Sequence, residues 1–330
     1  MKRQYLIASG LVVIILCLVG AIGFVQQSKY IEDRVPAAAI NGTTTGIKTG
    51  AATRTINVDN KKRTYTTYIP SKSIIGTADI NVLFVFHGTN QSGTYIRDIT
   101  GFNPVADSRG FVVVYPEALK RNGSMQWDPT NGSGTAPVKD IDFIRSVIKQ
   151  LEVILQGRVG KIYAAGFSNG SVMTQTVGCS INEVKGIAPV AAGMGDTMLA
   201  RCTLTRKIPY IGFDGTILNN KVYEKSELVK YEASVSHFAL QNECSTATTT
   251  TKIPDNGKDG TATVVTLNTY RQIWDKPAAC VPAMNYYRIE GGGHLWPGST
   301  AYTSADLKQQ DGKLTKDINA TILIADFFKL

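Results

Sequence analysis

The chain has 330 residues, 43% of them hydrophobic and 18% charged, and its formal net charge at pH 7 is +9. This balance is typical of a folded globular protein and excludes a chain that stays disordered throughout. Because the lysines and arginines are scattered, without a basic run or interleaved aromatic residues, the sequence argues against nucleic-acid binding and favours a solvated basic surface.

The N-terminus predicts a membrane segment. Lys2 and Arg3 precede a stretch without charge, and its most apolar part runs from Leu6 to Val25. About 20 apolar residues span a bilayer, and the basic residues before them keep the N-terminus inside the cell. Two alternatives stay open for residues 1–25, a retained signal anchor and a signal peptide cleaved after "AIG". Either one makes the protein extracytoplasmic, membrane-anchored or secreted.

Residues 26–53 predict a flexible linker, and residues 54–330 predict a single folded domain. The linker is rich in Thr, Gly and Ala, a composition that buries little. In the domain, strands alternate with helices, which predicts a doubly wound, mostly parallel sheet. The predicted strands lie at 63–70, 81–88, 110–117, 161–165, 186–192, 207–213 and 285–294, and the predicted helices at 138–155, 169–179 and 225–241.

Four polar residues follow directly after predicted strands, where active sites of such sheets lie. They are His87, Ser168, Asp214 and His294. Ser168 stands in "GFSNG", a pattern too common to be decisive alone. A strand before it and a helix after it favour the nucleophile elbow of a hydrolase over a hydroxyl in an ordinary turn. The flanking glycines are then required because a Cβ would collide with the neighbouring strand or helix.

A serine nucleophile needs a base, and the chain has three histidines. His237 lies within a helical pattern, where packing is the usual role. His87, in "FHGTNQSG", is placed to shape an oxyanion loop. His294, in "GGGHLWPG", follows the last strand, as the base does in the chain order of α/β-hydrolases. We therefore expect His294 to be the base.

Six segments, in this order, resemble secreted polyhydroxybutyrate depolymerases and feruloyl esterases, the carbohydrate-esterase-one-like branch of the α/β-hydrolases: "FVFHGTNQSG", "GFVVVYPE", "VKDIDFI", "GFSNGSVM", "APVAAG" and "GGGHLWPG". The similarity extends over roughly residues 60–300. It implies an α/β-hydrolase fold and hydrolysis of carboxylic esters, often on polymers or plant cell walls, without metal or cofactor. The oxyanion is then held by the backbone N–H groups of Thr89 and Asn169.

The acid of the triad is the point where the chain departs from this family. Relatives have a segment like HGTxD after the seventh strand, whereas this chain has "FDGTILNN". Leu218 stands at the position of the aspartate, and leucine cannot accept a hydrogen bond from the imidazole. Asp214, at the strand end, is the favoured acid. Two alternatives stay open, Asp196 from the preceding loop, or no carboxylate at all, with Asn219 or Asn220 as a substitute.

Besides Cys17 in the membrane segment, the chain has four cysteines, Cys179, Cys202, Cys244 and Cys280. An even number outside the cytoplasm indicates two disulfides, with three possible pairings, and no C-x-x-C motif supports a zinc site instead. The resemblance implies the pairs Cys179–Cys202 and Cys244–Cys280. The second pair then ties down a polar insertion at 245–265 that is otherwise free to move.

The sequence therefore predicts a monomeric serine esterase that acts on an ester substrate, with a polymeric ester as one candidate. A non-catalytic relative that binds a surface polymer is the alternative, motivated by Leu218. A peptidase or an acyltransferase shares the same elbow. Trp127 and Trp296 are candidates either for a substrate pocket or for the core.

Overall fold

The computed structural model describes residues 46–76, 78–130, 138–217, 231–256, 263–272, 280–308 and 311–330. Residues Ile47–Leu330 form one compact unit. The predicted membrane segment and most of the predicted linker lie outside the described residues. Within the described ranges, no helix has the length and the apolar character needed to cross a membrane.

Strands and helices alternate through most of the chain. The strands are β1 (Gly50–Val58), β2 (Lys61–Ile69), β3 (Ile80–Phe86), β4 (Val112–Pro116), β5 (Leu119–Arg121), β6 (Ser124–Gln126), β7 (Val159–Phe167), β8 (Val184–Val190), β9 (Tyr210–Gly215), β10 (Cys244–Lys252), β11 (Val264–Gln272) and β12 (Met284–Glu290). The helices are α1 (Gly93–Thr100), α2 (Phe102–Arg109), α3 (Asp140–Ile154), α4 (Asn169–Ser180), α5 (Asp196–Arg201), α6 (Tyr231–Gln241), α7 (Ser304–Lys308) and α8 (Ala320–Phe328).

Ten of the described strands form one sheet, in the order β1-β2-β4-β3-β7-β8-β9-β12-β11-β10. The six central strands, from β4 to β12, run parallel, and the two outer strands on each side pair antiparallel. Strands β5 and β6 form a separate hairpin. The prediction of a mostly parallel sheet with α/β architecture is confirmed.

Helices cover both faces of the central strands, which explains their nearly continuous apolar sequences. Along β3, Val82, Phe84 and Phe86 contribute to the layer beneath α3, α4 and α6, which we call layer A. Leu83 and Val85 contribute to the layer beneath α1, α2 and α8, which we call layer B. Side chains of a strand alternate between the two faces, so each strand supplies both layers.

The first strand corrects one predicted boundary. Strand β1 begins at Gly50, so residues 50–53 of the predicted linker belong to the sheet. They pair with β2 through a two-residue turn at Asp59 and Asn60, which have φ values of 50° and 57°. Positive φ at both turn positions is the geometry of a tight hairpin. The predicted boundary was wrong because it was based on a polar, Thr-rich composition, and β-branched threonine also favours strands.

The polar insertion at 245–265 is a second correction. Its first part forms β10, and its last two residues begin β11, with which β10 pairs antiparallel at the edge of the sheet. Segment 257–262 between them lies outside the described residues. A threonine side chain offers little apolar surface to a core, but its branched shape suits an extended, half-exposed edge strand such as β10.

A side chain replaces part of the backbone pairing between β8 and β9. Pro189 of β8 has no N–H, and only two residue pairs join these strands. The Tyr231 hydroxyl enters the gap from α6, accepting from Phe213 N at 3.1 Å and donating to Pro189 O at 2.5 Å. Gly212 leaves room for it, because a Cβ there would lie 2.6 Å from the phenol oxygen.

The structure confirms both predicted disulfides. Cys179 at the end of α4 pairs with Cys202 after α5, and Cys244 at the start of β10 pairs with Cys280. The Cα–Cα distances are 5.3 Å and 5.7 Å, within the usual range. The pairing is the one that the family resemblance implied.

Removal of the first disulfide is expected to destabilise the fold. The bridge joins residues 23 positions apart, and in the chain-entropy model a loop of that size contributes roughly 3 kcal/mol. A Cys179→Ser/Cys202→Ser variant should therefore lose about that much free energy of unfolding in a urea titration. With dithiothreitol present, variant and reduced parent should unfold alike; a difference that persists under reduction would contradict this origin.

Candidate active site

Ser168 lies in a strained turn between β7 and α4. Its backbone has φ 57° and ψ −123°, a conformation that non-glycine residues rarely adopt and that is often kept at functional sites. Its N–H donates to Val190 O at 3.0 Å, which anchors the turn to β8. The side chain is half-buried, so the hydroxyl stays accessible. This is the geometry expected of a nucleophile elbow.

The glycines that flank Ser168 meet a steric requirement. A Cβ on Gly166 would lie 2.3 Å from Gly170 O, and a Cβ on Gly170 would lie 2.1 Å from Phe86 O. Both distances are far shorter than van der Waals contact. The start of α4 therefore packs directly against the backbone at the end of β3, and any larger residue would push the elbow away from it.

The loop after β3 lies beside the serine. A Cβ on Gly88 would be 3.2 Å from Ser168 Cβ. Gly88 N–H is engaged with Gln91 Oε1 at 2.8 Å. Within the described residues, the backbone N–H groups of Thr89 and Asn169 donate no hydrogen bond. Unengaged backbone donors on two segments that meet near a serine are what an oxyanion hole requires.

His87 supports this loop and is not available as a base. Its Nδ1–H donates to Gly88 O at 2.7 Å, and its Nε2 accepts from Ala118 N at 3.0 Å, so the ring is neutral. Burial lowers the pKa of His87 to about 4, partly offset by the bond to Gly88. The expected shaping role agrees with these contacts. His237 likewise packs in α6, with Nε2 2.8 Å from Cys202 O.

His294 follows β12 and a glycine turn, and its ring packs on Phe167, the residue before the serine, at 4.8 Å between centroids. The ring is half-buried, and Nδ1 is shielded from solvent. Desolvation lowers the pKa of His294 to about 4. In the part of the chain that the structure describes, Nδ1 has no hydrogen-bond partner. The imidazole is therefore neutral at physiological pH, as a general base must be.

The end of β9 touches the His294 loop. A Cβ on Gly215 would lie 2.4 Å from Gly292 O, and Ile217 N donates to that same carbonyl at 2.9 Å. Gly293 N donates to Lys313 O on the other side. Leu218, Asn219 and Asn220 lie outside the described residues.

Neither candidate acid is bonded to His294. Asp214 is only 6% exposed and shares the strand face of Tyr210, beneath α6, whereas Phe167 under the imidazole belongs to layer B. Burial first and then Glu232 raise the pKa of Asp214 well above its usual range, and Arg288 opposes the shift. Asp196 is exposed at the first turn of α5. The acid therefore stays a prediction.

The two tryptophans considered for a substrate pocket are core residues. Trp127 and Trp296 are 1% and 0% exposed. Trp296 Nε1 donates to Thr321 Oγ1 at 3.0 Å, and its ring packs edge-on against Phe102. Trp127 packs edge-on against Phe86. Their polar atoms are bonded within the protein, which leaves them little to offer a substrate.

A buried charged pair was not recognised in the sequence. Arg63 and Asp140 are 1% and 0% exposed and form an ion pair at 2.6 Å. Asp140 also accepts from Asp128 N at 2.5 Å. The signal was present, since Asp140 lies in "VKDIDFI" at the start of a helix. The helical spacing of apolar residues does not indicate that this carboxylate is buried and pairs with an arginine 77 residues away.

Comparisons with known proteins agree with this architecture. The esterase PHB depolymerase family model matches residues 63–195, which include the loop after β3 and the turn at Ser168. The solved structure of an acetyl xylan esterase from Aspergillus awamori aligns with a TM-score of 0.53 at 11% identity, covering 74% of this chain and 94% of that one. At this identity the structural likeness concerns the fold alone.

Two curated proteins are also similar. A bifunctional acetylxylan esterase/xylanase of Neocallimastix patriciarum is 27% identical over 64% of this chain, and a Nocardia uniformis subsp. tsuyamanensis protein named as an esterase, NocK, is 26% identical over 66%. The matches cover 28% and 65% of these relatives, so the chain spans less than two thirds of either. With the strand order and the turn at Ser168, these matches confirm the resemblance: the chain has an α/β-hydrolase-like fold and is similar to the esterases of the PHB depolymerase family.

Proposed function

We propose that this protein is a serine esterase that hydrolyses carboxylic esters through an acyl-enzyme. One observation carries the proposal: the strained Ser168 turn lies against a loop with unengaged backbone donors. A hydroxyl in a structural turn needs neither the positive φ nor the free N–H groups beside it. The family model and both curated relatives support ester hydrolysis as the reaction.

In the proposed reaction, Ser168 Oγ attacks the ester carbonyl while His294 takes the hydroxyl proton. The carbonyl oxygen becomes an oxyanion held by the N–H groups of Thr89 and Asn169. His294 then gives its proton to the departing alcohol, and the serine is left acylated. A water molecule, deprotonated by the same imidazole, releases the carboxylic acid and restores the serine.

The third member of the proposed triad is an acid that orients His294. The sequence predicts Asp214, with Asp196 as the alternative, yet burial favours the neutral form of the Asp214 carboxyl. A neutral carboxyl stabilises an imidazolium far less than a carboxylate does. We therefore propose that Ser168 and His294 carry the reaction. A loss of turnover on removal of the Asp214 carboxyl would add Asp214 to them.

We also propose an extracytoplasmic location and a polymer-bound ester as substrate. The two disulfides fit an oxidising compartment, and the apolar N-terminal stretch supports an anchor or a signal peptide. One relative is named as an acetylxylan esterase and the family as PHB depolymerases. Acetyl groups on xylan and hydroxybutyrate oligomers are thus the first substrates to test, with feruloyl esters beside them.

Ser168→Ala is expected to lower the turnover of p-nitrophenyl acetate by roughly three orders of magnitude or more, because it removes the nucleophile. The matched control is Ser146→Ala, which removes a hydroxyl that bonds only within α3 and should leave turnover unchanged. Equal rates for Ser168→Ala and the parent would instead favour a non-catalytic polymer-binding protein. A peptide panel and alcohol acceptors, assayed beside the esters, separate the peptidase and acyltransferase alternatives.

The pH dependence of hydrolysis tests the low pKa of the proposed base. His294 must be neutral to accept the serine proton, and burial lowers its pKa from 6.5 to about 4. We expect kcat/KM for p-nitrophenyl acetate to stay level from about pH 7 down to pH 5 and to fall near pH 4. An acidic limb near pH 7 would contradict this, because it would show an imidazolium stabilised by an ionised acid.

Asp214→Asn is expected to stabilise the fold at neutral pH. Below its unfolded pKa of about 3.9 the carboxyl is protonated in both states. Above it, the unfolded chain ionises while the buried group resists, so the parent loses stability as pH rises. In urea titrations, the free energy of unfolding of the variant should exceed that of the parent at pH 8 and should equal it near pH 4. The exposed Asp196→Asn is the matched control for removal of a carboxyl group.

The same two variants decide the acid. If Asp214 orients His294, Asp214→Asn should lower kcat by orders of magnitude despite the gain in stability. If Asp196 does so, the loss appears in Asp196→Asn instead. Unchanged turnover in both would leave the reaction to Ser168 and His294.

A further inference from the structure

The two donors next to Ser168 come from segments that are distant in sequence. Thr89 belongs to the loop after β3, and Asn169 is the first residue of α4. An oxyanion hole acts only if both N–H groups are held about 3 Å from one oxygen position. The relative placement of these two segments is therefore a requirement of the proposed reaction.

The β5–β6 hairpin and the residue after it bond to both segments. Trp127 Nε1 donates to His87 O at 2.9 Å, two residues before Thr89. Trp127 N donates to the Asn169 side chain, at 2.7 Å from Oδ1. Hence one residue holds the backbone of the loop with its indole and the start of α4 with its main chain. The Trp127 ring also packs on the His87 ring at 5.1 Å.

A second pair of bonds joins the hairpin to the loop itself. Asn90 N donates to Met125 O at 2.8 Å, and Met125 N donates to Asn90 Oδ1 at 3.1 Å. Asn90 follows Thr89 directly and has φ 57°, so the peptide next to the proposed donor is fixed on this side. Together with the indole bond, these contacts hold the loop on both sides of Thr89.

Buried charged residues hold the backbone directly after Trp127. The next residue, Asp128, donates its N–H to the Asp140 carboxylate, which is paired with Arg63. The Asp128 carboxylate accepts from Val138 N at 3.0 Å and from Thr130 N at 3.0 Å. Asp128 and Asp140 are both fully buried. This network gives Trp127 little freedom to shift.

We propose that Trp127 is a positioning residue of the oxyanion hole: it sets the distance between the Thr89 and Asn169 N–H groups by bonding to both segments at once. The inference rests on the proposed esterase function. It adds a role for the β5–β6 hairpin, and it gives Asn169 two separate tasks. Its backbone N–H faces the oxyanion, while its side chain accepts the bond that keeps that N–H in place.

Trp127→Phe tests the indole bond because it keeps an aromatic ring and removes the Nε1 donor. We expect kcat for p-nitrophenyl acetate to fall roughly tenfold to a hundredfold, less than the loss of a whole oxyanion donor. KM should change less than twofold. Affinity for a phenylboronic acid, which forms a tetrahedral adduct on the serine, should fall by about the same factor as kcat/KM.

Two further variants frame the result. Asn169→Ala removes the acceptor for Trp127 N and should lower kcat in the same way, which keeps the test available if Trp127→Phe fails to fold. Tyr65→Phe is the matched control, since it removes another buried donor, the hydroxyl bonded to Gln150 far along the chain on α3. Its kcat and boronate affinity should equal those of the parent.

An activity-independent readout separates this proposal from the esterase proposal. In ¹⁵N-labelled protein, Trp127→Phe should shift the amide signals of both Thr89 and Asn169, and Tyr65→Phe should shift neither. Loss of hydrolysis in the parent would overturn the esterase function while these shifts still judge the positioning role. Unmoved amide signals, or parental kcat and boronate affinity in a folded Trp127→Phe, would overturn the role of Trp127.

Discussion

The close approach of α4 to the end of β3 is the contact on which the rest of the site depends. Gly170 lies so near Phe86 O that even a methyl group would overlap it. This approach forces Ser168 into positive φ, a strain on the order of 1 to 3 kcal/mol that the surrounding packing must offset. As a result, the serine lies at the end of the sheet, beside the loop that follows β3. The geometry of the candidate site therefore follows from backbone packing, before any side chain contributes.

Buried charge serves this arrangement more than it serves stability. Bringing Arg63 and Asp140 out of water is costly, and their attraction repays that cost only in part. The pair holds the chain at Asp128, and through it the residues that reach the oxyanion loop. Such a pair is understandable if its benefit is the placement of polar groups that face a substrate, a task that an apolar contact performs less exactly.

The central sheet and the elbow were predictable because they depend on local patterns. Continuous apolar runs indicate strands covered on both faces, and "GFSNG" after such a run indicates a tight turn into a helix. The edge strands were not predictable in this way. In β1 and β10, threonines suit both a linker and a half-exposed strand, and pairing with a neighbour decides between them.

The site residues also divide into those that local sequence patterns predict and those that depend on long-range contacts. The positions of Ser168 and His294 follow from strand ends and chain order, which a single sequence displays. The environment of Asp214 does not, because the charges that act on its buried carboxyl come from Glu232 on α6 and Arg288 on β12, which are distant in sequence. The same holds for Trp127, whose contacts join residues 40 and 42 positions away. Long-range contacts of this kind leave no periodic trace in the sequence.

The tyrosine hydroxyl between β8 and β9 has a consequence for how the sheet opens. The Phe213 amide is protected by Tyr231, a side chain of α6, and not by a neighbouring strand. Hydrogen exchange at that amide therefore reports whether α6 is docked, while exchange at the amides around it reports the sheet. Since β9 ends beside the loop that carries His294, this single amide monitors the docking of α6 close to the candidate site.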